Sequence, residues 1–227
     1  GTSNGIYQFN ASSETIDGMG ILEDESILSM FSNGYNIYAG TESGKIMEWS
    51  YGEEPRLLIQ LKEPVRTLFK DSRGSVWFAT DKQGISRLDL TNGVSKDYEQ
   101  VVTVPEYDQH TAHVTEVGGV VWVNMNHGGF GYFNRENDAI EYFHNNPLNP
   151  RELSNTLASF LAIPEGVIWE ATSRKGLEKL EILKKTIDRL AIYEGAEGKN
   201  TNEVRAIFYD RERRLLLKKK KKGLLKV

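Results

Sequence analysis

Cysteine is absent from the 227 residues. That excludes disulfides, thiolate metal centres and a cysteine nucleophile, and leaves the redox compartment open. No run approaches the about 18 consecutive apolar residues of a membrane span. The chain opens at Gly1 without a leader of charged and then apolar residues, so any targeting or anchoring segment is expected to lie outside it. Proline is scarce, with six residues, and histidine scarcer, with four. Positive charge is short as well. The formal net charge is −4, and without the run Lys218 to Lys222 there would be 23 basic against 32 acidic residues, a net of −9. An acidic body of this kind does not suit nucleic acid, whose binding draws on basic patches.

Glycine is plentiful, at 21 residues, beside nine Phe, ten Tyr and four Trp. Many tight turns and large core side chains suit an all-β chain. The chain also repeats itself. Gly-Thr-Ser-Asn-Gly-Ile at 1–6 returns as Gly-Thr-Glu-Ser-Gly-Lys-Ile at 40–46, Ala-Thr-Asp-Lys-Gln-Gly-Ile at 79–85 and Ala-Thr-Ser-Arg-Lys-Gly-Leu at 171–177. Residues 124–130 and 218–224 hold the same place with altered residues. The anchoring glycines Gly5, Gly44, Gly84, Gly129, Gly176 and Gly223 follow in steps of 39, 40, 45, 47 and 47. A period of about 40–50 residues is that of four-stranded β-propeller blades.

The unit from Val65 to Glu99 shows the pattern best. Val65 to Lys70 reads as a strand, Asp71-Ser-Arg-Gly74 as a turn, Ser75 to Ala79 as a second strand and Ile85 to Leu90 as a third. Thr91-Asn-Gly93 turns into a fourth near Val94 to Tyr98. The spacing predicts a partial blade over 1–24, blades over about 25–62, 63–104, 105–150 and 151–200, and a partial blade over 201–227. Trp77, Trp122 and Trp169 share one phase, with Tyr38 and Leu216 in the outer units, and fill the wedge between sheets. Leu177, Leu180, Leu183, Ile187 and Leu190 would also suit an amphipathic helix; the repeat phase requires strand, turn and strand. In that phase the lysine run ends a second strand, where every other side chain would face the apolar wedge and an unpaired ammonium is costly.

The unit Val65 to Asp89 resembles the two-component regulator propeller repeat, with its Asp-x-x-Gly turn, its Trp strand ending in Thr, then Gly-Ile and Arg-Leu-Asp. Asn145-Asn-Pro-Leu-Asn-Pro-Arg-Glu-Leu-Ser-Asn155 resembles that family's link between blades. The chain departs from the pattern in its third complete unit, which reads Glu116-Val-Gly-Gly119 for the turn and Trp122-Val-Asn-Met-Asn-His-Gly-Gly129 for the strand. It departs again at Asp210-Arg-Glu-Arg213. The resemblance implies a segment of a seven-bladed ring in the periplasmic half of a hybrid two-component histidine kinase of Bacteroides-type bacteria. It implies that the remaining blades come from outside this chain. It further implies a membrane-anchored, dimerising parent with kinase, receiver and DNA-binding modules, controlling the use of complex carbohydrates. A propeller interaction scaffold and a propeller lyase or glycosidase are the alternatives.

No nucleophile elbow, phosphate loop or zinc-binding helix motif appears, so no catalytic residue, metal or cofactor is expected. His110 and His113 alone are too sparse a pair for a metal. Ligand contacts are expected where the repeat departs from itself, in the connector with Tyr107, Asp108, His110 and His113 and in the strand end with Asn124, Asn126 and His127. Tyr107 offers an aromatic face to a sugar ring, and the polar groups offer partners to the hydroxyls of an oligosaccharide. Trp77, Trp122, Trp169, Gly84, Gly129 and Gly176 are structural positions of the repeat.

Overall fold

A computed structural model of the chain describes residues 1–80, 84–98, 112–125, 129–143, 157–163, 165–172, 176–182, 186–190, 204–210, 214–219 and 223–226. All regular elements among the described residues are strands. They are β1 (Tyr7–Asn10), β2 (Thr15–Gly18), β3 (Ile27–Ser32), β4 (Asn36–Thr41), β5 (Lys45–Ser50), β6 (Arg56–Gln60), β7 (Val65–Lys70), β8 (Val76–Thr80), β9 (Gly84–Asp89) and β10 (Val94–Asp97). There follow β11 (Ala112–Val117), β12 (Val120–Met125), β13 (Gly129–Asn134), β14 (Ala139–Tyr142), β15 (Leu157–Ile163), β16 (Val167–Thr172), β17 (Leu177–Glu181) and β18 (Thr186–Leu190). The last three are β19 (Val204–Tyr209), β20 (Leu215–Lys219) and β21 (Gly223–Lys226).

These strands pair in sequence as antiparallel meanders. Four sheets have four strands (β3 to β6, β7 to β10, β11 to β14 and β15 to β18), β19 to β21 form a three-stranded sheet and β1 with β2 a hairpin. The all-β fold of four-stranded antiparallel blades read from the sequence is therefore present. The segment from Leu177 to Leu190 forms β17 and β18, as its repeat phase requires. The chain divides into two compact units, Gly1–Gln100 with Gln109–Val114, and Val101–Asp108 with Thr115–Val227.

The register repeats from sheet to sheet. Tyr38 faces Glu48, Trp77 faces Arg87, Trp122 faces Tyr132 and Trp169 faces Lys179. Arg87 and Lys179 each place their charge 5.8 Å from the centre of the Trp ring they face, a cation–π contact repeated at one register position. The next residue along each second strand points to the other face of its sheet, a second wedge position. Ala39, Phe78, Val123, Glu170 and Leu217 stand there, and none is more than 2% exposed. In the first unit Phe78 joins Tyr38, Ile46, Val65, Leu68, Val76 and Leu88 in one apolar cluster. In the second, Val117, Trp122 and Phe130 meet Ile168 and Leu180, while Ala171 and Leu177 meet Val204, Leu215 and Leu217.

Two local devices recur. The first strand of four sheets carries a register shift, between Ile27 and Ser29, Val65 and Thr67, Leu157 and Ser159, and Val204 and Ala206. In the first unit the residue beyond the shift reaches the next first strand. The Ser29 hydroxyl donates to the Val65 carbonyl at 3.0 Å and the Thr67 hydroxyl to the Ala112 carbonyl at 2.5 Å. Such a bulge re-aims a side chain that regular pleating would send elsewhere.

The second device explains the Asp-x-x-Gly signature. Asp71 Oδ1 accepts the amides of Arg73 at 3.0 Å and Ser75 at 2.9 Å, while Oδ2 accepts Trp77 Nε1 at 3.0 Å. One carboxylate thus fixes both the turn and the indole. In the last sheet Leu216 replaces the Trp and cannot donate. Asp210 still accepts the amide of Arg214 at 2.8 Å, and the Arg214 guanidinium takes the indole's role at 2.5 Å. Where Glu116 replaces the aspartate, the Trp122 indole nitrogen has no hydrogen-bond partner among the described residues.

Gly5, Gly44, Gly84 and Gly176 all have positive φ, between 67° and 90°. At Gly44 an added Cβ would lie 2.5 Å from the Leu61 carbonyl oxygen and 2.9 Å from that of Glu63. Gly44→Ala is therefore expected to destabilise by about 2–3 kcal/mol, from backbone strain and a clash with backbone that cannot swing away. Gly93→Ala, with φ +70° and open space around its Cβ, should cost about 1 kcal/mol. Urea unfolding of both variants checks this; equal losses would show that close approach contributes nothing.

Candidate functional site

Of the residues expected at a ligand site, Tyr107, Asp108, His110, Asn126 and His127 lie outside the described residues. His113 and Asn124 lie within them. His113 is half-buried on β11, and desolvation lowers its pKa to about 4, so the imidazole is neutral near neutral pH. Asn124 is 1% exposed. It does not present its amide to solvent, because Nδ2 donates to Glu170 Oε1 at 2.6 Å. Trp77 and Trp122 are buried, and Trp169 is half-buried with its ring beneath Lys179.

The Asn124 contact reveals the most unusual chemistry among the described residues. Glu170 occupies the wedge position, where the other sheets place Ala, Phe, Val and Leu. Its register neighbour across to β17 is Glu178. Both glutamates are 0% exposed. Directly opposed residues hold their Cβ atoms about 4.5–5.5 Å apart, so two carboxyl groups share one enclosed space. The pKa of Glu170 is raised to about 8, first by desolvation and then by the charge of Glu178, against the lowering effect of the Asn124 bond.

The sequence reading passed over Glu170 and Glu178. The signal was nonetheless present, since aligning Trp169-Glu-Ala-Thr172 on Trp77-Phe-Ala-Thr80 puts a carboxylate where the parallel strand has Phe.

In the first unit a different polar network surrounds Tyr38. Its hydroxyl donates to Glu48 Oε1 at 2.5 Å and accepts from Lys70 Nζ at 2.6 Å, while Arg56 holds Glu48 Oε2 at 2.5 Å. Burial pushes the Glu48 carboxyl up, but the hydrogen bonds from Tyr38, Arg56 and Asn36 outweigh it and hold the pKa below its ordinary value. That network is a satisfied structural clasp. Among the described residues no group of three or more His, Asp or Glu side chains is placed to hold a metal ion, and no helix is long and apolar enough to cross a membrane.

No protein-family model matches the chain, and no curated protein matches it either. Solved structures do. The extracellular domain of BT4673 from B. thetaiotaomicron, assigned to a hybrid two component system, matches with a TM-score of 0.72 at 16% identity, covering 99% of this chain and 30% of that one. That of BT3049, from the same organism and also assigned to a hybrid two component system, matches with a TM-score of 0.62 at 18% identity, covering 88% of this chain and 28% of that one. The chain has the fold of these extracellular domains. It spans less than a third of their length. Virginiamycin B lyase from Staphylococcus aureus is also similar, with a TM-score of 0.62 at 15% identity over 88% of this chain and 69% of that one. The two-component propeller repeat recognised in the sequence thus agrees with what these neighbours share, a meander of four-stranded blades.

Proposed function

We propose that this chain is a segment of the extracytoplasmic sensor of a hybrid two-component system, receiving a carbohydrate-derived signal and performing no chemistry itself. One observation carries the reading: nearly the whole chain superposes on part of an extracellular domain assigned to such a system. On this reading the segment is periplasmic, and the remaining blades, the membrane anchor and the kinase belong to a dimeric parent that relays the signal to transcription. The repeat's departures remain the proposed contact region, with Tyr107 stacking on a sugar ring and Asp108, His110, Asn126 and His127 addressing hydroxyls, whereas His113 Nε2 is enclosed like Asn124.

A second reading, a propeller lyase, draws on the likeness to virginiamycin B lyase. Among the described residues, the one pair of carboxylates brought together by strand register, Glu170 and Glu178, is enclosed. A substrate cannot reach that pair.

Calorimetric titration of the chain with an oligosaccharide panel tests the proposal. Saturable binding of one glycan class is expected. Failure of every glycan to bind a folded sample would favour a protein-interaction scaffold. For the bound glycan, the double substitution Tyr107→Ala and His127→Ala should weaken affinity about tenfold, the equivalent of about 1.4 kcal/mol. The thermal midpoint should stay nearly unchanged. Equal affinity in the folded double variant would remove this region from the site.

A further inference from the structure

Glu170 and Asn124 meet in the wedge with one hydrogen bond made and two acceptors left over. Asn124 Nδ2 donates to Glu170 Oε1 at 2.6 Å, while Asn124 Oδ1 and Glu170 Oε2 are both enclosed and both without a hydrogen-bond partner among the described residues. Both orphaned atoms are acceptors when the carboxyl is ionised. A single proton on Glu170 Oε2 supplies the missing donor and turns the pair into a cyclic acid–amide, each group donating once and accepting once. Buried polar groups are very rarely left unpaired, and an ionised carboxylate in an apolar wedge is costlier still.

Among the described residues no cation is bonded to the Glu170 carboxyl. From β17 the residue opposite Glu170 is Glu178, whose charge repels a second anion, and from β15 it is Phe160. The cation nearest in register, Arg189 on β18, stands opposite Glu178 rather than Glu170. Lys179 is bonded to Glu181 at 2.5 Å. On the face that Glu170 shares, Ile168 and Leu180 pack on Trp122 and Val117.

We infer that Glu170 is a proton-binding site, a neutral acid paired with Asn124, and that holding or losing this one proton sets how firmly the β11 to β14 sheet packs on the β15 to β18 sheet. The inference stands independently of the ligand and of the sensor reading. Its direction follows from linkage. The folded state keeps a proton that the unfolded chain releases near the ordinary carboxylate value of 4.5, because burial raises the folded pKa to about 8. The stabilisation is complete below the ordinary value and is lost as pH rises through about 8. His113, lowered to about 4, acts with the opposite sign and only at more acid pH, so it does not contribute to the change from pH 7 to 9.

The thermal midpoint of the chain is expected to fall by about 3–5 °C between pH 7 and pH 9. Glu170→Gln keeps the shape and the donor without the titration, and should flatten that fall. Carboxyl carbon NMR of the unsubstituted chain, assigned by the signal missing in Glu170→Gln, reads the same group without relying on the variant's stability, and should titrate above pH 7. A signal titrating near 4.5, or an equal fall in Glu170→Gln, would overturn the inference. So would a midpoint at pH 9 restored by calcium, which would put a cation where the proton is assigned.

Discussion

Trp77→Ala is expected to lower stability by about 3–5 kcal/mol, the range for emptying a large aromatic site in a packed core. Trp77 is 0% exposed, stacks on Tyr98 at 5.5 Å and donates to Asp71. The substitution therefore opens a cavity and also leaves Asp71 Oδ2 without its indole donor. Trp77→Phe separates the two effects, because it retains most of the ring and loses the donor. It should cost about 1–3 kcal/mol, from the loss of the indole hydrogen bond to Asp71 and of part of the ring's packing. Urea unfolding monitored by far-UV circular dichroism measures both. A loss below 1 kcal/mol for Trp77→Ala would mean that the repeated aromatic is not the keystone of its sheet.

The second large effect runs the other way. Replacing Glu170 by Val together with Asn124 by Ala gives the wedge the residues it has elsewhere, Val123 in the neighbouring sheet and Ala79 in the β7 to β10 sheet. The double variant should be more stable by about 1–4 kcal/mol at pH 9, as found when buried ionised groups are exchanged for packed apolar ones. At pH 6, where the acid–amide pair is neutral and complete, the gain should shrink. Glu170→Val alone should gain less, since it removes the charge but leaves the Asn124 carboxamide buried without its acid. A double variant less stable than the parent at both pH values would show that the polar pair contributes packing that apolar residues cannot replace.

The architecture was legible because it is written several times over. Gly44 and Gly84 mark turns that only a positive φ can make, and Asp71, Gly74 and Trp77 mark a turn and an indole tied by one carboxylate. Where one copy is blurred, another is sharp, so the helical spacing of Leu177 to Leu190 did not mislead. The same redundancy hid the wedge chemistry. Glu170 reads as one more surface acid until its phase is matched to Phe78 and Leu217, and its contact with Asn124 spans 46 residues and two sheets. Asn124 stands out in the sequence as a departure, but a sequence does not say whether a polar replacement faces solvent or a neighbouring blade. The substitution of Arg214 for an absent indole hydrogen is likewise a matter of geometry, because nothing in Asp210-Arg-Glu-Arg213 announces which arginine will turn back.

The central claim is reception of a glycan without turnover, and product analysis tests it most directly. The chain is incubated to equilibrium with the glycan it binds, and the glycan is recovered and resolved by mass and linkage. The account predicts a glycan recovered intact at every enzyme-scale concentration and time. Cleaved or unsaturated products, abolished by substitution of one carboxylate in a variant that still folds, would contradict it and make the propeller a lyase or a glycosidase.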